Sequence, residues 1–124
     1  MSKKISNGDK FYSYLGLATR AGKAVSGEDA VEGAVRRGRV VLMLIAQDAS
    51  ENTLRKFSSL ARHHGIHALR AGTKNLLGQA MGKAPRAIVG ITDRGFARVI
   101  KASVTGTSSH LDAMVAGSWT MTAI

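Results

Sequence analysis

The sequence has no cysteine, a single proline and few aromatic residues among its 124 residues. The absence of cysteine excludes disulfides, thiolate zinc sites and cysteine nucleophiles. It is compatible with a reducing cytoplasm, where we expect the protein to be located. The first residues are basic, but no apolar run follows them, which argues against a secretory signal or a membrane span. We therefore expect no membrane partner.

Acidic residues are also scarce. The chain has 8 Asp and Glu residues against 18 Lys and Arg residues, a net charge of +10, and its isoelectric point is near 10.7. Such a surplus is typical of nucleic-acid-binding proteins, because each phosphate that a cation contacts releases condensed counterions. Solubility alone is the less specific explanation. Anionic lipid is disfavoured, because the sequence shows no basic amphipathic helix and no lipidation motif.

The apolar residues follow two patterns along the chain. Helical spacing predicts five helices, of which the second runs from about Gly27 to Arg37 and the last from Asp93 to about Lys101. Unbroken apolar runs at 40–46 and 87–92 predict strands that are buried on both faces, and 66–70 predicts a shorter strand. This alternation indicates an α/β protein, a three-layer α/β/α sandwich whose sheet is mostly parallel.

The composition divides the chain into three parts. Residues 1–9 are polar and predicted to be flexible, and residues 10–101 form the one folded domain. Residues 102–124 are rich in Ser, Thr, Ala and Gly and are interpreted as a C-terminal tail, in which a short helix near Leu111 to Ala116 is conceivable.

The segment SGEDAVEGAVRRG, from Ser26 to Gly38, supports two interpretations. As a purely structural element, Ser26 would cap the second helix, with Asp29 as a short capping-box acid. As a binding element, a helix start preceded by glycine would present backbone N–H groups to a nucleic-acid backbone, while carboxylates accept hydrogen bonds from guanine. Both interpretations can hold together.

The segment LLGQAMGKAPR, from Leu76 to Arg86, is the second candidate. Lys83, Ala84, Pro85 and Arg86 would form an exposed loop between a helix and a strand. The loop could simply connect the two elements. It could equally hold a phosphate and pack on an unstacked base, as sequence-specific RNA sites do.

Metal binding and catalysis find little support in the sequence. His63, His64 and His67 lie close together, but Gly65 separates them and no carboxylate completes a ligand set. No nucleophile with a matching base is visible. We therefore expect no cofactor, no metal and no enzymatic activity.

Several motifs occur in one order and resemble a known family: YLGLATRAGK, VSGED, IAQDASENT, LGQAMGK and TDRGFA. Together they resemble the kink-turn-binding ribosomal proteins of the L7Ae/L30e superfamily, and within it the small bacterial YlxQ branch. The resemblance covers about Phe11 to Lys101. It implies a three-layer fold around a four-stranded mixed sheet, with RNA held between the start of the second helix and the loop after LGQAMGK.

The same resemblance can be followed position by position. Gly27 matches the family glycine. Asp29 lies where archaeal members have Asn, Ala30 where they have Glu, and Gly33 where they have Lys. Asp29 can accept hydrogen bonds but cannot donate to a guanine carbonyl, and the other two offer no polar contact or cation. These departures imply weaker kink-turn binding, or another RNA element.

We therefore expect a non-catalytic protein that recognises a kink-turn or a similar kinked internal loop, in association with ribosomal or other structured RNA. DNA is not expected as a partner, and the free protein is expected to be monomeric. The alternative is a protein-interaction module of the same fold that has lost tight kink-turn binding. The expected RNA-binding residues are Lys23, Gly27, Glu28, Asp29, Arg36 and Arg37 on one side, and Lys83, Ala84, Pro85 and Arg86 on the other.

Overall fold

The computed structural model describes residues 7–105. The helices are α1 (Asn7–Arg20), α2 (Glu28–Arg36), α3 (Glu51–His63), α4 (Lys74–Ala80) and α5 (Arg94–Thr105). The strands are β1 (Ala24–Ser26), β2 (Leu42–Ile45), β3 (His67–Arg70) and β4 (Ile88–Ile91). Within these residues, no helix combines the length and the apolar character needed to cross a membrane.

The four strands form one mixed sheet in the order β1-β4-β2-β3. Only β2 and β3 are parallel, whereas β4 is antiparallel to both β1 and β2. The expectation of a mostly parallel sheet was therefore wrong. The reason is the short α4: the chain after it turns back, so that the Arg86 N–H donates to the Lys74 carbonyl at 3.0 Å. As a result β4 begins at the end of the sheet where β3 stops.

The expected three layers are confirmed, because the two faces of the sheet bury two separate cores. Leu42 and Leu44 of β2 pack with α1, α4 and α5, for instance against Leu15. Met43 and Ile45 alternate to the other face and pack with α2 and α3, for instance against Phe57. All four β2 side chains are buried, which explains why the strand reads as an unbroken apolar run.

The element bounds differ from the sequence predictions at three places. β1 was predicted to be a link, since three residues are too few to show a period. α1 begins at Asn7, inside the segment predicted to be flexible, and α5 continues to Thr105, inside the predicted tail. The helix considered near Leu111 to Ala116 lies outside the described residues.

Candidate RNA interface

The sheet has two ends, and the candidate site lies at one of them. β1 and β2 finish where β4 begins, as the pairings Ser26–Val89 and Ile45–Ile88 show. The turns at this end, residues 27–30, 47–53, 71–74 and 82–87, are called the Gly27 end. The turns at the opposite end, residues 20–23, 37–41, 62–66 and 92–94, are called the Arg39 end. The antiparallel β4 thus brings Gly27, Glu28 and Asp29 of the first predicted half, and the whole second half at 83–86, to the Gly27 end.

Gly27 caps α2 and leaves the helix start uncovered. Its φ is 95° and its ψ 152°, a conformation that is essentially restricted to glycine, and no side chain caps the helix. The predicted Ser26 cap was wrong, because Ser26 belongs to β1. The first N–H groups of a helix have no intrahelical partner. A Cβ built on Gly27 would meet nothing within 4 Å, so a ligand can approach the N–H groups of α2 closely.

One hydrogen bond joins this helix start to β4, and another joins the preceding Ser26 to the loop at 82–87. The Gly27 N–H donates to the Ile88 carbonyl at 3.0 Å. The Arg86 Nε donates to the Ser26 hydroxyl at 3.0 Å, and its Nη1 lies 3.3 Å from the Ala84 and Pro85 carbonyls. Arg86 is therefore a clamp between the two halves of the site, a role that its sequence position did not indicate.

The loop itself is fixed through its backbone. The Lys83 N–H donates to the Gly78 carbonyl at 2.8 Å. A Cβ on Gly78 would collide with the Ala84 carbonyl and would lie 2.9 Å from the Lys83 oxygen. The side chains of Lys83, Ala84 and Pro85 remain exposed. The loop thus presents a cation and a small apolar surface from a defined position.

Carboxylates surround the start of α2. The Thr53 hydroxyl donates to Glu28 Oε2 at 2.9 Å, which links α2 to the first turn of α3. Asp48 Oδ1 accepts the Lys74 N–H at 2.9 Å and so caps α4. Asp29 and Ala30 are exposed. This negative rim repels phosphates but can accept hydrogen bonds from base amino groups, so the site favours base edges at its centre.

Arg36 forms an ion pair within the protein. Its guanidinium lies 2.8 Å from Glu32 Oε2, and Lys56 lies 3.1 Å from Glu32 Oε1. The hydrogen bond from Arg36, and then that from Lys56, lower the pKa of the Glu32 carboxyl below its usual range. Arg36 remains largely exposed at its tip, but its first role is this three-membered ion cluster.

Arg37 turns back along α2 toward the site. A Cβ on Gly33 would lie 3.3 Å from the Arg37 Nη1, so the guanidinium lies beside the helix where a longer side chain at 33 would stand. A guanidinium from the next turn of α2 therefore lies at position 33, where the resemblance implies a cation. The only sign of this arrangement in the sequence is that Arg37 follows Gly33 by four residues, which is one helical turn.

Lys23 is the predicted residue that the structure sets apart. It precedes β1, and its carbonyl accepts the Thr92 N–H at 2.9 Å, which places it at the Arg39 end. It lies four positions before Gly27 in the chain, or about 13 Å away at about 3.3 Å per residue. Lys23 is exposed but is not brought together with the other predicted residues.

The histidines form no visible ligand set. His63 and His64 contact each other edge to face, with ring centroids 5.3 Å apart. Across residues 7–105, no three His, Asp or Glu side chains are grouped so that they could hold a metal ion.

The fold and these motifs agree with comparisons to known proteins. Residues 9–101 match the model of the ribosomal protein L7Ae/L30e/S12e/Gadd45 family. The chain belongs to this family. It is 38% identical over 91 residues to the RNA-binding protein YlxQ of Bacillus subtilis, covering 73% of this chain and 91% of that protein. It is 33% identical over 100 residues to YlxQ of Enterococcus faecium, covering 81% and 96%. The expected YlxQ-type membership of the L7Ae superfamily is therefore confirmed.

Solved structures show the same fold. A Bacillus halodurans protein of unknown function superposes with a TM-score of 0.73 at 36% identity, covering 76% of this chain and 95% of that one. The 15.5kD RNA binding protein of Giardia lamblia superposes with a TM-score of 0.64 at 19% identity, covering 79% and 84%. The second likeness concerns the fold alone.

Three contributors to the site were missed by sequence reasoning. Gly78 was interpreted as allowing close helix packing, Thr53 was given no role of its own, and Ser26 was interpreted as the cap of α2. The first in fact positions the loop, and the other two hold Glu28 and Arg86. Their partners lie 6, 25 and 60 positions away in the chain, so no local pattern could indicate them.

Proposed function

We propose that this protein is a non-catalytic RNA-binding protein of the cytoplasm that recognises a kinked internal loop of structured RNA, a kink-turn or a close variant. The observation that supports it best is the pairing of an uncovered helix start at Gly27 with the rigid loop at 82–87, held together by the Arg86–Ser26 hydrogen bond. The names of the YlxQ relatives support RNA as the ligand class.

The chemistry of the site fits a kinked RNA better than a regular duplex. The major groove of A-form RNA is too deep and narrow for side chains, whereas a kink exposes base edges. The α2 N–H groups and Asp29 would contact the bases and backbone at the kink. Lys83 and Arg37 would neutralise the flanking phosphates, and Ala84 and Pro85 would pack on an unstacked base.

The test is a titration of the full chain against a labelled kink-turn RNA and a variant whose tandem G·A pairs are replaced by Watson–Crick pairs, over a salt series. We expect a preference for the kinked RNA that persists at higher salt, because base contacts depend less on counterion release. Equal, steeply salt-dependent binding to both RNAs would contradict kink recognition. A protein-only pull-down insensitive to ribonuclease would then favour the interaction module.

A further inference from the structure

The Arg39 end of the sheet carries a second positively charged surface. Three helices finish there and one begins there, and the cross-strand row Ala24–Ile91–Leu42–His67 places their turns side by side. With strands about 4.8 Å apart, this row spans about 14 Å. The exposed cations in these turns are Arg20, Lys23, Arg37, Arg39, Arg62 and Arg94. Of these, the Arg37 guanidinium turns back along α2.

Carboxylates are almost absent from this surface. Among residues 7–105, Asp93 is the one acidic residue in the turns of the Arg39 end, and its Oδ2 accepts the Phe96 N–H at 2.9 Å. By contrast, Glu28, Asp29, Asp48 and Glu51 all lie at the Gly27 end. The two ends therefore differ in the sign of their local charge, although the whole chain is basic.

Stabilisation of helix ends explains only part of this surface. Arg20 and Arg62 lie in the last turns of α1 and α3, where cations favour the helix dipole. Arg94 is the first residue of α5, where the dipole disfavours a cation. Lys23 and Arg39 lie in turns outside the helices. These three cations therefore call for an external partner.

The same surface continues along α5. Arg94 and Arg98 are four residues apart on one helix face, and Lys101 follows three residues later. All three are exposed. Like charges at this spacing destabilise a helix slightly, so the Arg94–Arg98 pair does not serve the stability of α5.

We propose that the Arg39 end is a second RNA-binding surface, which holds the phosphate backbone of a regular duplex without reading its sequence. It goes beyond kink recognition and rests only on RNA as the ligand. Lysine and arginine side chains in several neighbouring turns donate hydrogen bonds and accept none, which suits phosphate contacts rather than base contacts. The protein would then hold one RNA helix at each end of its sheet.

The test uses the full chain and a plain, unkinked RNA duplex in a salt series. The variant R39A/R94A removes two cations of the Arg39 end, and K10A/R55A removes two exposed cations elsewhere as a control of equal net charge. We expect R39A/R94A to lower the slope of log affinity against log salt by about two, since each lost phosphate contact lowers it by about one. K10A/R55A should leave the slope near that of the parent.

Kink recognition is measured separately in the same experiment. The ratio of affinities for the kinked RNA and the plain duplex should not fall in R39A/R94A, since the Gly27 end is intact. The proposal of a second surface would be overturned by any of three results: an unchanged salt slope in R39A/R94A, an equal fall of the slope in K10A/R55A, or no binding of the plain duplex by the parent protein. A parent without preference for the kinked RNA, but with the expected slopes, would overturn kink recognition and support the second surface. Thermal unfolding of each variant establishes that it is folded.

Discussion

The two ends of the sheet differ in charge and in how their turns are held, and each suits a different kind of contact with RNA. At the Gly27 end, few cations accompany a ring of carboxylates, and the backbone is fixed by hydrogen bonds between distant segments. At the Arg39 end, cations stand in short turns, with Asp93 as the one carboxylate among the described residues there. Fixed geometry allows base contacts, whereas a cationic surface contacts any phosphate. Net charge alone would point to the Arg39 end, whereas the fixed geometry lies at the Gly27 end.

Gly78→Ala is expected to have the largest effect on the difference between the two ends, measured as affinity for the kinked RNA and for a plain duplex. The new methyl group would displace the Lys83–Ala84 backbone, an overpacking that costs about 1–3 kcal/mol. We expect kink-turn affinity to fall about tenfold or more, since about 1.4 kcal/mol corresponds to a factor of ten. Binding to a plain duplex, which we propose takes place at the Arg39 end, should persist.

The control for this change is Gly95→Ala in α5. There the nearest atom to the added Cβ is the Asp93 Oδ2 at 3.1 Å, a side-chain atom that can shift. Equal losses of kink-turn affinity in Gly78→Ala and Gly95→Ala would show that the loop position does not matter.

Gly27→Ala is expected to have the next largest effect. Its φ of 95° and ψ of 152° are unfavourable for any residue with a Cβ, so we expect a loss of about 1–3 kcal/mol in the free energy of unfolding, measured with urea. The methyl group would also cover the start of α2 and weaken binding to the kinked RNA.

Gly22→Ala provides the matched comparison at the Arg39 end. Gly22 has a φ of 73°, and an added Cβ would again meet nothing within 4 Å. It should lower stability by about 1–2 kcal/mol but leave kink recognition intact. If Gly22→Ala weakened the preference for the kinked RNA as much as Gly27→Ala, the assignment of recognition to one end would be wrong.

A smaller effect is expected from the single changes Arg37→Ala and Lys83→Ala. Each removes one cation beside the candidate site, so each should lower the salt slope for the kinked RNA by about one. The comparison is Arg55→Ala, an exposed α3 cation that lies 3.9 Å from Glu51. Unchanged slopes would remove Arg37 and Lys83 from the interface.

The smallest expected effect is on the pH dependence of folding stability. Burial, assisted by the charge of Lys101, lowers the pKa of His67 below its usual 6.5. The unfolded chain therefore binds more protons than the folded one below pH 6.5, so stability is present above this pH and is lost on acidification. His67→Gln should lose less stability between neutral and mildly acidic pH.

Glu32→Gln separates this effect from that of the Glu32 ion cluster. The pKa of Glu32 lies below its usual value of 4.5, so its contribution is lost only at lower pH. An unaltered pH profile in His67→Gln would exclude His67 as its source.

The sequence was a good guide where a feature depended on neighbouring residues. Buried runs and the approximate helix positions follow from local spacing and from local hydrogen bonds, such as the Ser50 cap of α3 and the bond from the Phe96 N–H to Asp93 in α5. The direction of β4 was predicted wrongly, because it depends on how the chain after α4 turns back to Lys74. Strand alternation in the sequence does not contain that information.

For the candidate site as well, the sequence indicated individual residues but not the contacts between them. Glycine at 27 and the segment 83–86 stood out as motifs, and the structure brings them together. Their connection through Ser26 and Arg86 spans 60 positions in the chain. Lys23 was predicted together with Gly27, but β1 lies between the two and places them at opposite ends of the sheet. Residue type thus indicated what could bind RNA, whereas only the fold determines which of those residues share a surface.

The way in which the loop is fixed also bears on how this protein could diverge. Hydrogen bonds at the Lys83 and Arg86 amides, and the close approach to Gly78, hold the loop without using the side chains at 83–85. Substitutions there can therefore change the preferred RNA without moving the loop. Relatives could acquire new targets through three surface positions, and a library at 83–85 could be selected for chosen RNAs on an unchanged scaffold.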